Sequence, residues 1–280
     1  MLNAKFLKLL SDVYGGSNMK RKTTNLFEEF ILEKELNGAS KHTLQAYRQA
    51  YKKMGDGTLE DMKKRLLSEG MKPSSVNTHI RYMKSFMNWC GIDGKVQFVK
   101  EQETPPHYYT KEEVVKLCKQ GRTFTEQRDR LMILFMLSTG ARAETLRNIK
   151  LEDLKDDGFV VFRHTKNRKP MLIPLNGNLQ KEIKRYLKTW DISEYLFPAG
   201  NNKRLSGVYH TLKPYVESRG VEFRGVHAFR HTFARQFILS GGSAFSLKRI
   251  LGHSSMEMTN RYVSIYGEDL RPELENIGWI

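Results

Sequence analysis

Between Gly225 and Tyr262 the chain reads GVHAFRHTFARQFILSGGSAFSLKRILGHSSMEMTNRY. His227, Arg230 and His231 stand at i, i+3 and i+4, so a helix here would carry all three on one face. Phe229, Phe233 and Phe237 make a separate apolar stripe that belongs against a core. An arginine buried between two histidines without partners would be costly, so the polar face is expected to meet solvent, an ion or a substrate. A His-x3-His pair can bind zinc, but this one lacks the Glu of an H-E-x-x-H pattern and any clear third ligand. No metal is expected. Taken one at a time, Arg142 after Thr139-Gly140-Ala141 would pass for a surface charge at a helix start, and Lys166 for a solvated hairpin tip.

These residues need a scaffold, and the rest of the sequence describes one. At 280 residues the chain suits one large domain or two ordinary ones, with 39 % hydrophobic and 11 % aromatic residues, a globular composition. Cys90 and Cys118 are too few for a disulfide framework and read as idle thiols in a reducing compartment. No apolar run approaches the ~18 residues of a membrane span, and the lysine-bearing N-terminus is a poor signal peptide. The expectation is a cytoplasmic protein. The formal charge is +16, with 18 Lys and Arg against 12 Asp and Glu before residue 105 and 29 against 19 after it. A basic surplus in both halves points to a polyanion, and nucleic acid is the default.

Residues 20–90 read as helices: a run around Phe27, Phe30 and Ile31, then Lys41–Met54 capped by Ser40, then Leu59–Ser68, then one started by Pro73 and ending before Gly91. Lys100–Pro106 is charged and proline-stiffened, which suits a connector. Beyond it, Thr110 caps a helix over Lys111–Gln120, and a long apolar helix covers Glu126–Ser138. Gly158–Arg163 and Met171–Leu175 are short strands joined by His164–Pro170, the second held to a sheet edge by Pro170 and Pro174. Further helices are expected near 178–189, 205–219, 227–240, 243–251 and 256–266.

Together the motifs carry a resemblance. H-x-x-R-H-T-F-A, a Gly-containing turn, L-G-H-S, and a Tyr nine residues after that His resemble the signature of the tyrosine recombinase family. T-G-A-R, ending in Arg142, is similar to the family's first arginine box, and Lys166 stands in a hairpin turn followed by L-I-P-L, like the family's hairpin lysine. S-K-H-T-L-Q-A-Y at 40–47 and S-S-V-N-T-H-I-R-Y-M-K-S-F at 74–86 resemble its helical core-binding domain. One departure stands out. The family usually has Glu three residues after the first arginine; here Thr145 holds that place and Glu144 precedes it, about 100° away around a helix, so no active-site role passes to Glu144.

The resemblance implies a mostly α fold with a small β-sheet. Its two domains would form a clamp around DNA: an N-terminal extension (1–18), a helical SAM-like core-binding domain (19–95), a linker (96–107), and an α+β catalytic domain with a C-terminal tail (108–280). It assigns Tyr262 as the nucleophile that forms a 3′-phosphotyrosine bond. Arg142 and Arg230 would grip the phosphate, Lys166 would be the general acid, His227 the general base, and His253 a phosphate ligand. His231 stays outside the set as structural. Tyr266, one turn beyond Tyr262, is the internal competitor. No cofactor is implied, because the covalent bond stores the energy for religation, and no phosphate-binding G-x-x-x-x-G-K-[ST] loop is present. The implied partner is double-stranded DNA with paired inverted half-sites, bound by a synaptic tetramer of protomers that can be monomeric when free. Compact size and a short tail look most like the Xer-type recombinases, which resolve chromosome dimers for partition at cell division. Viral or plasmid integrases, an inactive DNA-binding protein and a type IB topoisomerase are the alternatives. The tail from Ser264 to Ile280, ending in Ile277, Trp279 and Ile280, is expected to dock on a neighbouring protomer.

Overall fold

The computed structural model describes residues 19–263, apart from 56, 102–105, 164–169 and 254. The N-terminal extension, Lys166 at its hairpin tip, Tyr266 and the tail therefore lie outside the described residues. The chain divides into two compact units, 1–103 and 104–280. No described helix is long and apolar enough to cross a membrane.

Among the described residues the first unit has four helices: α1 (Met19–Leu36), α2 (Lys41–Met54), α3 (Leu59–Ser68) and α4 (Pro73–Trp89). The starts of α2, α3 and α4 have local causes. The Ser40 hydroxyl accepts from the Thr43 N–H, Thr58 and Asp61 form a capping box, and Pro73 occupies the first turn of α4, where its missing N–H costs nothing. Phe27, Phe30, Met62, Ile80, Met83 and Phe86 fill the core, each 4 % exposed or less. Each such side chain stabilises the unit by ~1.5–3 kcal/mol. Phe27 stacks on Tyr51 at 4.0 Å and meets Phe86 edge-on at 5.2 Å. The segment after α4 is fastened down. The buried Asn77 amide receives the Val99 N–H at 2.8 Å and donates to the Val99 carbonyl at 2.9 Å, so part of the expected 96–107 connector lies against the helices.

The second unit runs α5 (Lys111–Leu117), α6 (Phe124–Thr139), α7 (Ala143–Asn148), β1 (Phe159–Phe162), β2 (Met171–Pro174), α8 (Gly177–Thr189), α9 (Val208–Ser218), α10 (Val226–Leu239), α11 (Ala244–Leu251) and α12 (Glu257–Val263), with short 3-10 turns at Leu151–Asp153 and Gly200–Asn202. The strands pair antiparallel with Val160 opposite Ile173, and both of these face the core. Three helix boundaries among the described residues differ from expectation by two residues or more. α5 stops at Leu117 because Cys118 already makes its C-terminal turn. α6 begins two residues early, since Thr123 and Glu126 form a capping box. α9 starts at Val208 rather than 205, because Arg204 still pairs as a β-bridge with Pro198. α6 forms the middle of the core, with Leu131, Met132, Ile133, Phe135 and Met136 all at 1 % exposure or less. α7 is a six-residue helix, too short for periodicity to reveal.

Candidate active site

α10 carries three of the candidate residues, and its start is pinned from several sides. The Arg224 guanidinium donates twice to the Glu113 carboxylate, at 2.7 and 2.8 Å, and the Arg224 N–H donates to the Tyr109 hydroxyl at 3.2 Å. Tyr109 stacks on Phe229 at 4.5 Å, and its N–H donates to the Thr232 hydroxyl at 2.8 Å. Phe229 is wholly buried and Phe233 nearly so, which gives the apolar stripe its core.

Arg230 departs from expectation. It does not lie on a solvent-facing stripe but is 6 % exposed. Its burial is tolerable because two helix ends supply acceptors. Nη1 donates to the Gly140 carbonyl at 2.6 Å, and Nη2 donates to the Leu251 carbonyl at 2.6 Å. Gly140 is the left-handed cap that ends α6, and Leu251 is the last residue of α11 before the left-handed cap Gly252. Carbonyls at helix C-termini lack intrahelical donors and carry the negative end of the helix dipole. A guanidinium answers both needs. Burial and the nearby Arg142 pull Arg230 down to about 9, still above neutral, so it keeps its charge.

His253 follows the α11 cap. Arg230 can only donate, so the 3.1 Å contact from its Nη2 makes His253 Nε2 the acceptor. The proton then sits on Nδ1, which donates to the Thr259 hydroxyl at 2.9 Å. This neutral tautomer agrees with a pKa lowered to about 4 by burial first, then by Arg230 and Arg142. In this arrangement the ring has no N–H aimed at a phosphate. Thr259 is fully buried and belongs to the site, although the sequence alone did not single it out.

Arg142 is the residue before α7, reached through the turn at Gly140 and Ala141. It is half-buried, and its pKa is lowered by that burial and raised by the pull of Tyr262. The Glu144 carboxylate turns away from it, accepting from Arg147 at 2.8 Å and from Asn148 at 2.9 Å, while Thr145 is buried. His227 opens to solvent on one side, and its pKa is lowered by partial burial, then by Arg230 and Arg142. It therefore stays neutral at pH 7.

Tyr262 lies on α12 and packs beside the small cluster of Phe233, Ala234, Leu247 and Leu251. Its ring stacks over His253 at 6.3 Å. Its hydroxyl sits 2.8 Å from His231 Nδ1. The structure thus gathers Arg142, His227, Arg230, His253 and Tyr262 from four separate stretches, and adds His231 and Thr259. Among the described residues no cluster of three or more His, Cys, Asp or Glu could hold a metal.

Residues 107–268 match the phage integrase family. The chain is 30 % identical to the tyrosine recombinase XerA of Thermococcus kodakarensis over 89 % of its length and 94 % of that protein's. It is equally 30 % identical to the XerA of Pyrococcus furiosus, over 92 % and 96 % of the two chains. Among solved structures, the Tn1549 transposon integrase in complex with transposon right end DNA superposes with a TM-score of 0.73 at 19 % identity, covering 90 % of this chain and 98 % of that one, which speaks to the fold alone. A family match over more than half of the chain, together with these XerA relatives, shows that the chain belongs to the phage integrase family and is a tyrosine recombinase.

Proposed function

We propose that Tyr262 attacks a phosphodiester of duplex DNA, forms a 3′-phosphotyrosine bond and releases the 5′ hydroxyl, which a second strand's end later replaces. The observation that carries this reading is the Tyr262 hydroxyl held among Arg142, Arg230 and the histidines. Attack concentrates negative charge on the nonbridging oxygens, and planar guanidiniums are suited to hold it. Arg142 and Arg230 take that task. Neutral His227 offers a ring N–H to the same oxygens, and Lys166 donates to the departing 5′ oxygen. Strand exchange joins two duplexes, so four protomers act on paired inverted half-sites, with the tail after Tyr262 linking neighbours. The XerA relatives favour resolution of chromosome dimers in the cytoplasm. A role in integration of a mobile element is the second reading, favoured by 29 % identity to the integrase of Escherichia phage P2 over 73 % of this chain.

The test is trapping on a nicked suicide substrate, in which the cut strand's end diffuses away. Wild-type protein should leave a covalent adduct, Tyr262→Phe should bind the DNA and leave none, and Tyr266→Phe should still leave one. An adduct that survives Tyr262→Phe and disappears with Tyr266→Phe would move the nucleophile.

A further inference from the structure

We infer that His231 is the proton acceptor for Tyr262, the group that takes the phenolic proton as cleavage begins. This rests on the reading of Tyr262 as the nucleophile, but assigns a role that the sequence had left with His227.

The geometry is direct. His231 Nδ1 and the Tyr262 hydroxyl are 2.8 Å apart, with ring centres 5.6 Å apart. A general base needs this reach, about 2.6–3.2 Å, before any other property matters. The His227 ring stands 6.4 Å from that of His231, one turn earlier on α10. It lies in the first turn of that helix.

A phenol with an ordinary pKa of about 10 loses its proton reluctantly to an imidazole near 6.5. Equilibrium transfer is therefore uphill by roughly three orders of magnitude, and something must favour the phenolate. Arg142 and Arg230 are both close enough to Tyr262 for each to be stabilised by its negative charge. Base and counter-charges thus converge on one oxygen.

The step balances. The O–H bond of Tyr262 breaks and its proton bonds to His231 Nδ1, while the ring proton of His231 stays on Nε2. The phenolate oxygen forms the bond to phosphorus, and the P–O5′ bond breaks. The O5′ oxygen takes a proton from Lys166. Reversal returns the His231 proton to Tyr262 on religation.

A mere tether would make the same contact, and asparagine separates the two roles. An Asn side chain brings an amide oxygen close to the Nδ1 position, where it can accept the hydrogen bond but cannot hold a proton. The full-length protein is assayed on the nicked substrate at single turnover, with Tyr262→Phe run first to establish the nucleophile independently. His231→Asn should bind DNA like the wild type and form the adduct about 10²–10⁴ times more slowly, the range of a lost general base. A 5′-bridging sulfur, which leaves without needing a proton, should rescue Lys166→Ala but not His231→Asn. Added imidazole should speed His231→Ala at least tenfold. Cleavage by His231→Asn within about threefold of wild type overturns the inference, as does rescue of that variant by the sulfur substrate. Should His231→Asn fail to fold, the imidazole result decides, and absence of rescue refutes it.

Discussion

Gly140 joins the end of α6 to the arginine cluster, and adding a single methyl group there should damage both fold and chemistry. Its φ is +65°, where an L-residue costs about 1–2 kcal/mol. A Cβ would sit 2.6 Å from Phe233 Cδ1 and 2.7 Å from Leu251 Cδ2, inside any normal contact distance. Overpacking of this kind adds ~1–3 kcal/mol. The stiffer unfolded chain returns ~0.4–1 kcal/mol, leaving Gly140→Ala about 3 kcal/mol less stable. Gly220 supplies the control, with nearly the same φ of +68° and nothing within 4 Å of its added carbon. Gly220→Ala should therefore cost only about 1 kcal/mol. Urea unfolding of the two variants, followed by circular dichroism, measures the difference directly. Relief of the clash also moves the Gly140 carbonyl that holds Arg230, so adduct formation should slow more than DNA binding weakens. If Gly140→Ala proves no less stable than Gly220→Ala, the contacts do not govern this turn and the reasoning fails.

Two further outcomes follow from the same cluster. Arg230→Lys cannot satisfy two helix-end carbonyls with a planar fork, so adduct formation should fall by about 10²–10³ with DNA affinity little changed; near wild-type cleavage would show that the fork is dispensable. For His253, the folded protein refuses a proton until about pH 4, whereas the unfolded chain accepts one near 6.5. Stability is thus fully present above pH 6.5 and is lost as the pH falls toward 4, and His253→Gln should flatten that slope in urea titrations; an unchanged slope would place the acid sensitivity elsewhere.

Local structure was legible where the cause is local. Ser40, Thr110, Asn176 and Ser243 each cap a helix with their own side chain, and their positions can be read from four consecutive residues. The Phe229 and Phe233 stripe was visible for a similar reason, since periodicity reports which face is apolar. The surroundings of the polar face were not legible. Arg230 takes its acceptors from residues 90 and 21 positions away, and the same charge that suggested exposure is what two distant helix ends require. The resemblance leaves His231 outside the set as structural, and no local pattern points to its partner 31 residues on, in another helix. A helical wheel orders residues around one axis and carries no record of what packs against it. Thr259 shows the limit plainly: nothing in its neighbours marks it, yet its buried hydroxyl partners Nδ1 of His253.

A guanidinium has five N–H groups, and Arg230 has already committed three, one on Nη1 to Gly140 and two on Nη2 to Leu251 and His253. The two that remain, on Nε and Nη1, point along different edges and cannot grip one phosphate as a pair. On the proposed function, a two-pronged hold on DNA would require an exchange, in which an oxygen of the strand takes the place of His253 at Nη2. Until then the histidine is a stand-in guest, sparing a buried donor the cost of going unmet. Eviction also frees its Nε2 at the moment a phosphate arrives beside it. With the Thr259 hydroxyl able to give as well as receive, the ring would then be able to pass from holding the arginine to holding the substrate.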